Sequence, residues 1–260
     1  MHSPLTQYHD MLPSWLQDIL HPLHALGLNV VGITDGKPHQ DLLSECQSAV
    51  VLGNGGTTLW ENFVADITTH PKHLSAHQHP FDDFVHRAIQ AADPSPPESR
   101  RWIRCAAEPE AFVDFRPLAQ GAGLGFASQM GLLIHPEYGL WMGLRAVLLT
   151  TERLPHLKAV MGTSPCDACT DKPCIAACPA GAVQPSGWQV KICAQFHQDS
   201  TDCHGRCHSR LSCPMGTAHR HNALQHLYHN SRKEGRLAVA EALGIVDQLK
   251  GLDPRWSEWA

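Results

Sequence analysis

Eight of the chain's ten cysteines lie between positions 166 and 213: Cys166, Cys169, Cys174, Cys178, Cys193, Cys203, Cys207 and Cys213. Thiolates are soft, charged donors suited to iron or zinc, and short gaps let several converge on one inorganic centre with little chain to order. Cys178 and Cys213 are each followed by proline, which turns the chain away from a site directly after a ligand. Zinc sites normally pair two short cysteine knuckles, and they do not favour Cys-Pro endings or the run Ala176-Ala177-Cys178-Pro179-Ala180-Gly181-Ala182-Val183. Iron–sulfur chemistry is therefore the leading reading, with two zinc sites as the alternative.

The first run is Cys166-Asp-Ala-Cys169-Thr-Asp-Lys-Pro-Cys174-Ile-Ala-Ala-Cys178-Pro179. In bacterial two-cluster ferredoxins, three closely spaced cysteines serve one cluster and the fourth, before proline, ligates the other. The run here keeps that order, with four residues in its second gap where the bacterial pattern has two. Crossed ligation predicts two 4Fe-4S clusters, one on Cys166, Cys169, Cys174 and Cys213, the other on Cys178, Cys193, Cys203 and Cys207. Cys207-His208 does not make a haem attachment site, because three residues separate Cys203 from Cys207 where that motif has two. His204, His208, His219 and His221 lie close by in sequence; one could replace a cysteine or tune a cluster through a hydrogen bond, and surface exposure is the plainer reading. Cys46 and Cys105 read as buried apolar thiols.

In 260 residues, 43% apolar and 17% charged, there is enough material for a real core and no sign of disorder. No apolar run approaches the ~20 residues of a spanning helix, and the start Met1-His2-Ser3-Pro4-Leu5 has no basic, apolar leader. A cytoplasmic location is expected, where a disulfide framework is not. Leu12, Leu16, Ile19, Leu20 and Leu23 have helical spacing; Asn29–Ile33, Ala49–Leu52 and Leu144–Thr151 read as strands, and the mixture predicts an α/β layer domain. Leu237 to Leu249 again has helical periodicity. A boundary near residue 158 divides the chain into 1–158 and 159–260. Gly121-Ala-Gly123-Leu-Gly125-Phe126 fails as a dinucleotide loop, since the last position is Phe and no suitable strand precedes it; Gly53-Asn54-Gly55-Gly56 reads most simply as a turn. The net charge of −5 conceals a basic stretch: residues 203–236 carry six Lys/Arg against Glu234 alone. Such a patch can steer an anionic partner, or be a solvated helix face.

Several blocks together resemble one family. Arg116-Pro117-Leu118-Ala119, Ala122-Gly123-Leu124-Gly125-Phe126 and Pro136-Glu137-Tyr138-Gly139-Leu140-Trp141, with the strand that follows, are similar to the epoxyqueuosine reductases, which are related to the reductive dehalogenases. The chain would be a shortened and diverged member. The resemblance implies an α/β (α+β) fold: a nitroreductase-like N-terminal domain that binds a corrinoid, followed by a bacterial two-cluster ferredoxin-like domain. It implies cobalamin beside Tyr138, Gly139, Trp141 and Leu144, a low-potential electron donor such as a flavodoxin or ferredoxin, and a small-molecule or corrinoid ligand. The family's catalytic aspartate falls, without gaps, at Pro109, so Glu108, Glu110 and, with a gap, Asp114 are the general-acid candidates. Ser128-Gln129 stands where family members carry Gly-Lys. Sequence that tRNA-acting members carry after the clusters is largely missing or replaced, which disfavours tRNA as partner. The function expected is an iron–sulfur oxidoreductase passing electrons to a corrinoid or bound substrate. The alternatives are a ferredoxin-like electron-transfer protein without substrate chemistry of its own, and a corrinoid-handling protein.

Overall fold

The computed structural model describes residues 11–75, 79–104, 113–158, 160, 162–252 and 256. The chain forms two compact units: Met1–Leu59, Phe81–Phe126 and Met142–Thr163 make the first, and Trp60–Pro80, Ala127–Trp141 and Ser164–Ala260 the second. Both mix helix and strand, so the fold is mixed α/β.

The first unit is built on four antiparallel strands, β1 (Val30–Asp35), β2 (Ser48–Gly55), β3 (Arg100–Arg104) and β4 (Met142–Thr150), in the order β1-β2-β4-β3. All eight residues of β2 are buried, the pattern of a central strand covered on both faces. Its Val50, Val51 and Leu52 pair with Leu148, Val147 and Ala146 of β4. The helix Ser14–Leu26 buries Leu16, Ile19, Leu20 and Leu23, the face its spacing predicts, and ends at Gly27 with φ 109°.

Two features of this sheet depart from the sequence expectation. Gly53 to Gly55 do not turn; they continue β2 after a bulge between Leu52 and Gly53. A Cβ at Gly53 would stand 2.7 Å from the Gly143 carbonyl oxygen, so the glycine permits β4 to approach rather than permitting the chain to reverse. The edge strand β3 was not foreseen, because Arg100-Arg101-Trp102-Ile103-Arg104 is too charged for a half-buried strand. It is held by Asp93, a buried carboxylate that pairs with Arg100 at 3.2 Å and accepts from Trp102 Nε1 at 3.0 Å.

The second unit has little regular structure around its cysteines. Pro165–Ala168, Pro173–Ala176 and His208–Ser212 are single helical turns, and Val190–Asp199 is the one longer helix among them. Around these lie Thr58–Thr69, which begins in the first unit, the short turn Lys72–Ser75, and the helices Ala223–Asn230, Arg232–Ala242 and Val246–Leu252. The periodicity across Leu237–Leu249 is thus divided between two helices, separated at Gly244, whose φ is +66°. No described helix is long and apolar enough to cross a membrane.

Candidate metal centre

Each cysteine is set by a local device. The Ser164 hydroxyl caps the turn Pro165–Ala168 by accepting from Cys166 N at 3.2 Å, and Pro165 pre-sets the helical φ at its first position. Lys172 adopts φ 44°, rare for a side-chain-bearing residue, and its Nζ donates to the Cys166 carbonyl oxygen. That bond closes the loop between Cys169 and Cys174. Gly181 N donates to the Cys178 carbonyl at 3.1 Å, so the chain doubles back after Pro179.

The thiols interact in two groups. Burial pushes the Cys174 thiol up, and negative charge on Cys213, Cys166 and Cys169 pushes it further. Cys213 is raised by burial and by Cys166 and Cys169, with Met215 N–H and Arg220 opposing. Separately, Cys203 is pushed up to about 11, first by burial and then by Cys207, Asp202, Cys178 and Cys193. Cys207 is raised by burial and by Cys193 and Cys178, against the pull of an Arg210 hydrogen bond and charge. Thiols that resist ionisation because they are buried, and because their neighbours would also be anionic, are sites that a cationic centre relieves.

Cys178 behaves differently. Burial raises its pKa, but donors from Val183 N, Ala182 N, the Ser209 side chain and Ala180 N outweigh burial and bring it below the usual thiol value. The Ala182 N···Sγ distance is 3.3 Å. The Ala180-Gly181-Ala182-Val183 run, small and tightly turned, is what allows so many donors to face one sulfur. Ser209, itself buried, is a contributor the sequence reading missed.

Trp141 and Gly139 are committed to packing within this unit. Trp141 is fully buried, its ring lies under the Arg210 guanidinium at 4.7 Å, and His221 and His226 meet it edge-on. Gly139 has φ 58°, and a Cβ there would sit 2.2 Å from the Met215 carbonyl oxygen. Tyr138 is half-buried between the rings of His135 and His219. Leu144 is half-exposed on β4 of the first unit, beside Arg145, whose Nε donates to Asn54 Oδ1 at 2.7 Å and whose guanidinium covers the Phe81 ring.

Glu108 and Glu110 lie outside the described residues, as does Cys105. Asp114 is about half exposed (51%) and caps the helix Phe115–Gly121 by accepting from Arg116 N at 3.2 Å. Cys46 is buried, with its pKa raised chiefly by that burial, as expected of a core thiol. The histidines near the cysteines are half-buried rather than surface-exposed: His204 pairs with Glu234 at 3.2 Å and His208 with Asp202 at 3.3 Å, while His219 stands 3.9 Å from Glu137. His226, absent from the sequence candidates, accepts from Cys207 N at 3.1 Å, and burial with the nearby Arg210 charge lowers its pKa to about 4. Of the basic stretch, Arg210 and Arg236 turn inward, while Arg206, Arg220 and Lys233 stay exposed. Arg210 donates to Leu140 O, Arg220 to Leu211 O and Cys213 O, and Arg236 to Leu74 O.

Comparison with known proteins points the same way as the motif blocks. Epoxyqueuosine reductase from Synechococcus sp. (strain CC9605) is 32% identical over 148 residues, which cover 52% of this chain and 43% of that protein. Its counterpart from Gloeobacter violaceus (strain ATCC 29082 / PCC 7421) is 34% identical over 113 residues, 38% of this chain and 33% of that one. The chain resembles the epoxyqueuosine reductases. Its aligned residues span less than half the length of these curated relatives. Among solved structures, epoxyqueuosine reductase from Bacillus subtilis superposes with a TM-score of 0.51 at 14% identity, over 81% of this chain and 67% of that one. CblC, a B12-trafficking protein of C. elegans, gives 0.51 at 9% identity, over 88% of this chain and 97% of that one. Both are likenesses of fold. No protein-family model matches.

Proposed function

We propose that the chain is an iron–sulfur reductase acting on an epoxide-bearing nucleoside of the queuosine kind, with two 4Fe-4S clusters in its cysteine segment. What supports the cluster reading is which thiols neighbour which: Cys174 and Cys213 each lie within electrostatic reach of Cys166 and Cys169, and Cys203 and Cys207 each within reach of Cys178 and Cys193. All donors are sulfur, and N–H groups already face Cys178. The spacing favours iron over zinc. A tetrahedral zinc with ~2.3 Å bonds draws its sulfurs to about 3.8 Å of one another, whereas no three of these thiols lie within 4.8 Å of each other; the corners of a four-iron cube keep them farther apart.

In this reading residues 159–260 form a ferredoxin-like electron path, and the sheet of the first unit is the part of a nitroreductase-like domain, residues 1–158, that receives substrate. Reducing an epoxide to an alkene consumes two electrons and two protons and releases water. A low-potential donor such as a flavodoxin or ferredoxin would supply the electrons one at a time, and each cluster would hold one. Asp114, Glu108 and Glu110 are the candidates to deliver a proton. The cobalamin implied by family likeness would supply a low-valent cobalt nucleophile or reductant. The residues at hand fit it only in part, since Gly139 and Trp141 are spent on packing while Tyr138 and Leu144 keep partly open side chains. Arg206, Arg220 and Lys233 keep an exposed positive surface on residues 203–236, to which RNA phosphates would be attracted.

Anaerobic purification with iron, sulfide, zinc and cobalt counted per chain tests the proposal, followed by turnover of an epoxyqueuosine substrate with dithionite. Eight irons and eight sulfides with substrate reduction are expected. Zinc in place of iron would overturn the cluster reading; clusters that reduce and reoxidise without turnover would leave an electron-transfer protein instead.

A further inference from the structure

The helix Thr58–Thr69 ends in a group of residues that the reductase chemistry does not use. Asp66 and His70 are four apart, on one face of the helix, and His70 N still bonds Asp66 O at 2.7 Å. Pro71 then stops the helix. The chain folds back through the bonds His73 N to His70 O, 2.9 Å, and Leu74 N to Pro71 O, 3.0 Å. This return brings His73 alongside the same carboxylate. His73 Nδ1 stands 2.9 Å from Asp66 Oδ2 and His70 Nδ1 3.6 Å from Asp66 Oδ1, with the two rings stacked 5.0 Å apart.

We propose that Asp66, His70 and His73 form a binding site for a divalent transition-metal cation of the zinc class, held by the Asp66 carboxylate and one nitrogen of each imidazole. One ligand atom from each residue lies within 4.8 Å of the others, and among the described residues this is the one group of three or more Cys, His, Asp or Glu that does so. A tetrahedral zinc with bonds of ~2.0–2.1 Å to nitrogen and oxygen holds its donors about 3.3 Å apart, close to the 2.9 and 3.6 Å between each Nδ1 and the carboxylate oxygen it faces. Hydrogen bonding accounts for His73 against Asp66 but not for His70, whose Nδ1 faces the other carboxylate oxygen from beyond hydrogen-bond distance. Imidazole and carboxylate donors suit zinc, nickel or cobalt rather than calcium or magnesium. The position adds to this, because the carbonyl end of a helix carries partial negative charge.

The site is also stiff, which lowers the cost of ordering ligands. Phe63 and Ile67 of the same helix are fully buried. On the returning side, Leu74 is buried and its carbonyl accepts from Arg236 Nη2 at 2.7 Å. A cation here would tie the end of Thr58–Thr69 to the turn Lys72–Ser75.

Zinc titration of the full chain, purified anaerobically with its clusters in place, tests the site by equilibrium dialysis and zinc X-ray absorption. One zinc per chain beyond the cluster metals is expected, with a first shell of nitrogen and oxygen only and the outer scattering of two imidazoles. Asp66→Asn and His70→Gln should each weaken binding by at least ~10-fold, whereas His79→Gln, a neighbouring histidine outside the site, should not. His70 is 52% exposed, so its variant folds, and unchanged iron content verifies that. No zinc uptake, equal uptake by His70→Gln, or a sulfur shell around the zinc would each overturn the proposal. A sulfur shell would at the same time expose vacant cysteines and count against the clusters, which separates the two failures.

Discussion

The sheet of the first unit and the cysteine segment of the second are stabilised by different means. Every residue of β2 is buried, and β4 closes over it with Ala146 to Thr150. The turns Pro165–Ala168 and Pro173–Ala176 and the helix Val190–Asp199 fully bury no residue among those described. Burial of apolar surface can fold the sheet unaided, whereas a segment with so little core would, in the proposed cluster reading, take its ordering free energy from bonds to an inorganic centre. In that reading the eight cysteines of residues 166–213 stand where the turns bury little of their own.

The most severe test of that contrast is removal of iron. Chelation under reducing conditions should abolish amide protection across residues 164–213 while leaving protection in β1, β2 and β4, as read by hydrogen-exchange mass spectrometry. Protection surviving in both would mean the cysteine segment folds on its own contacts. The sheet, in turn, should be sensitive to cavities. Leu52 is fully buried on β2, and Leu52→Ala should cost about 2–5 kcal/mol in urea unfolding; a loss within error would show that the sheet's core has room to collapse.

A smaller effect separates the units by pH. His135, in the second unit, accepts from Glu137 N and Tyr138 N through Nδ1, and burial, with His219 nearby, lowers its pKa to about 4. The unfolded imidazole titrates near 6.5, so the unfolded chain binds more protons between those values. Stability contributed by neutral His135 is therefore complete above about pH 6.5 and is lost as pH falls toward 4, on the order of 1–3 kcal/mol. His135→Asn, whose carbonyl oxygen can accept the same two N–H groups, should flatten part of that slope in pH-dependent unfolding. An unaltered slope would assign the whole dependence to other groups, His226 first.

The smallest stability effect is expected at Asp114 in the first unit. Asp114→Ala removes a helix cap worth ~0.5–2 kcal/mol, and Asp114→Asn keeps it. If Asp114 is the general acid, both variants should lose ~10²- to 10⁴-fold in turnover, so the asparagine variant separates catalysis from capping. Full activity in Asp114→Asn would pass the role to Glu108 or Glu110.

Much of the sheet is legible in the sequence because its strands are runs of Val, Leu and Ile whose burial leaves few other options. Val30, Val31 and Ile33, then Ala49 to Leu52, are examples. The edge strand β3 is not legible, since its arginines make sense only once Asp93 is known to be buried beneath Arg100 and Trp102. Gly53 misleads for a similar reason: the residue that needs it to be small is Gly143, ninety positions away in sequence. Around the cysteines, ligand identity and spacing are local properties and can be read directly, but the hydrogen bonds that distinguish Cys178 from its neighbours include one from Ser209, on a different turn.

What the sequence by itself determined is the chemical inventory: eight thiols at short, proline-punctuated spacings, a set of apolar strands, and blocks shared with epoxyqueuosine reductases. These are properties of residue type and local order. Tertiary structure alone decided where the shared Tyr138–Trp141 block spends its side chains, which arginines turn inward to backbone carbonyls, and that Asp66, His70 and His73 converge. Each of these depends on which distant surfaces must be covered and which buried polar groups must find partners, and spacing along the chain carries no record of either.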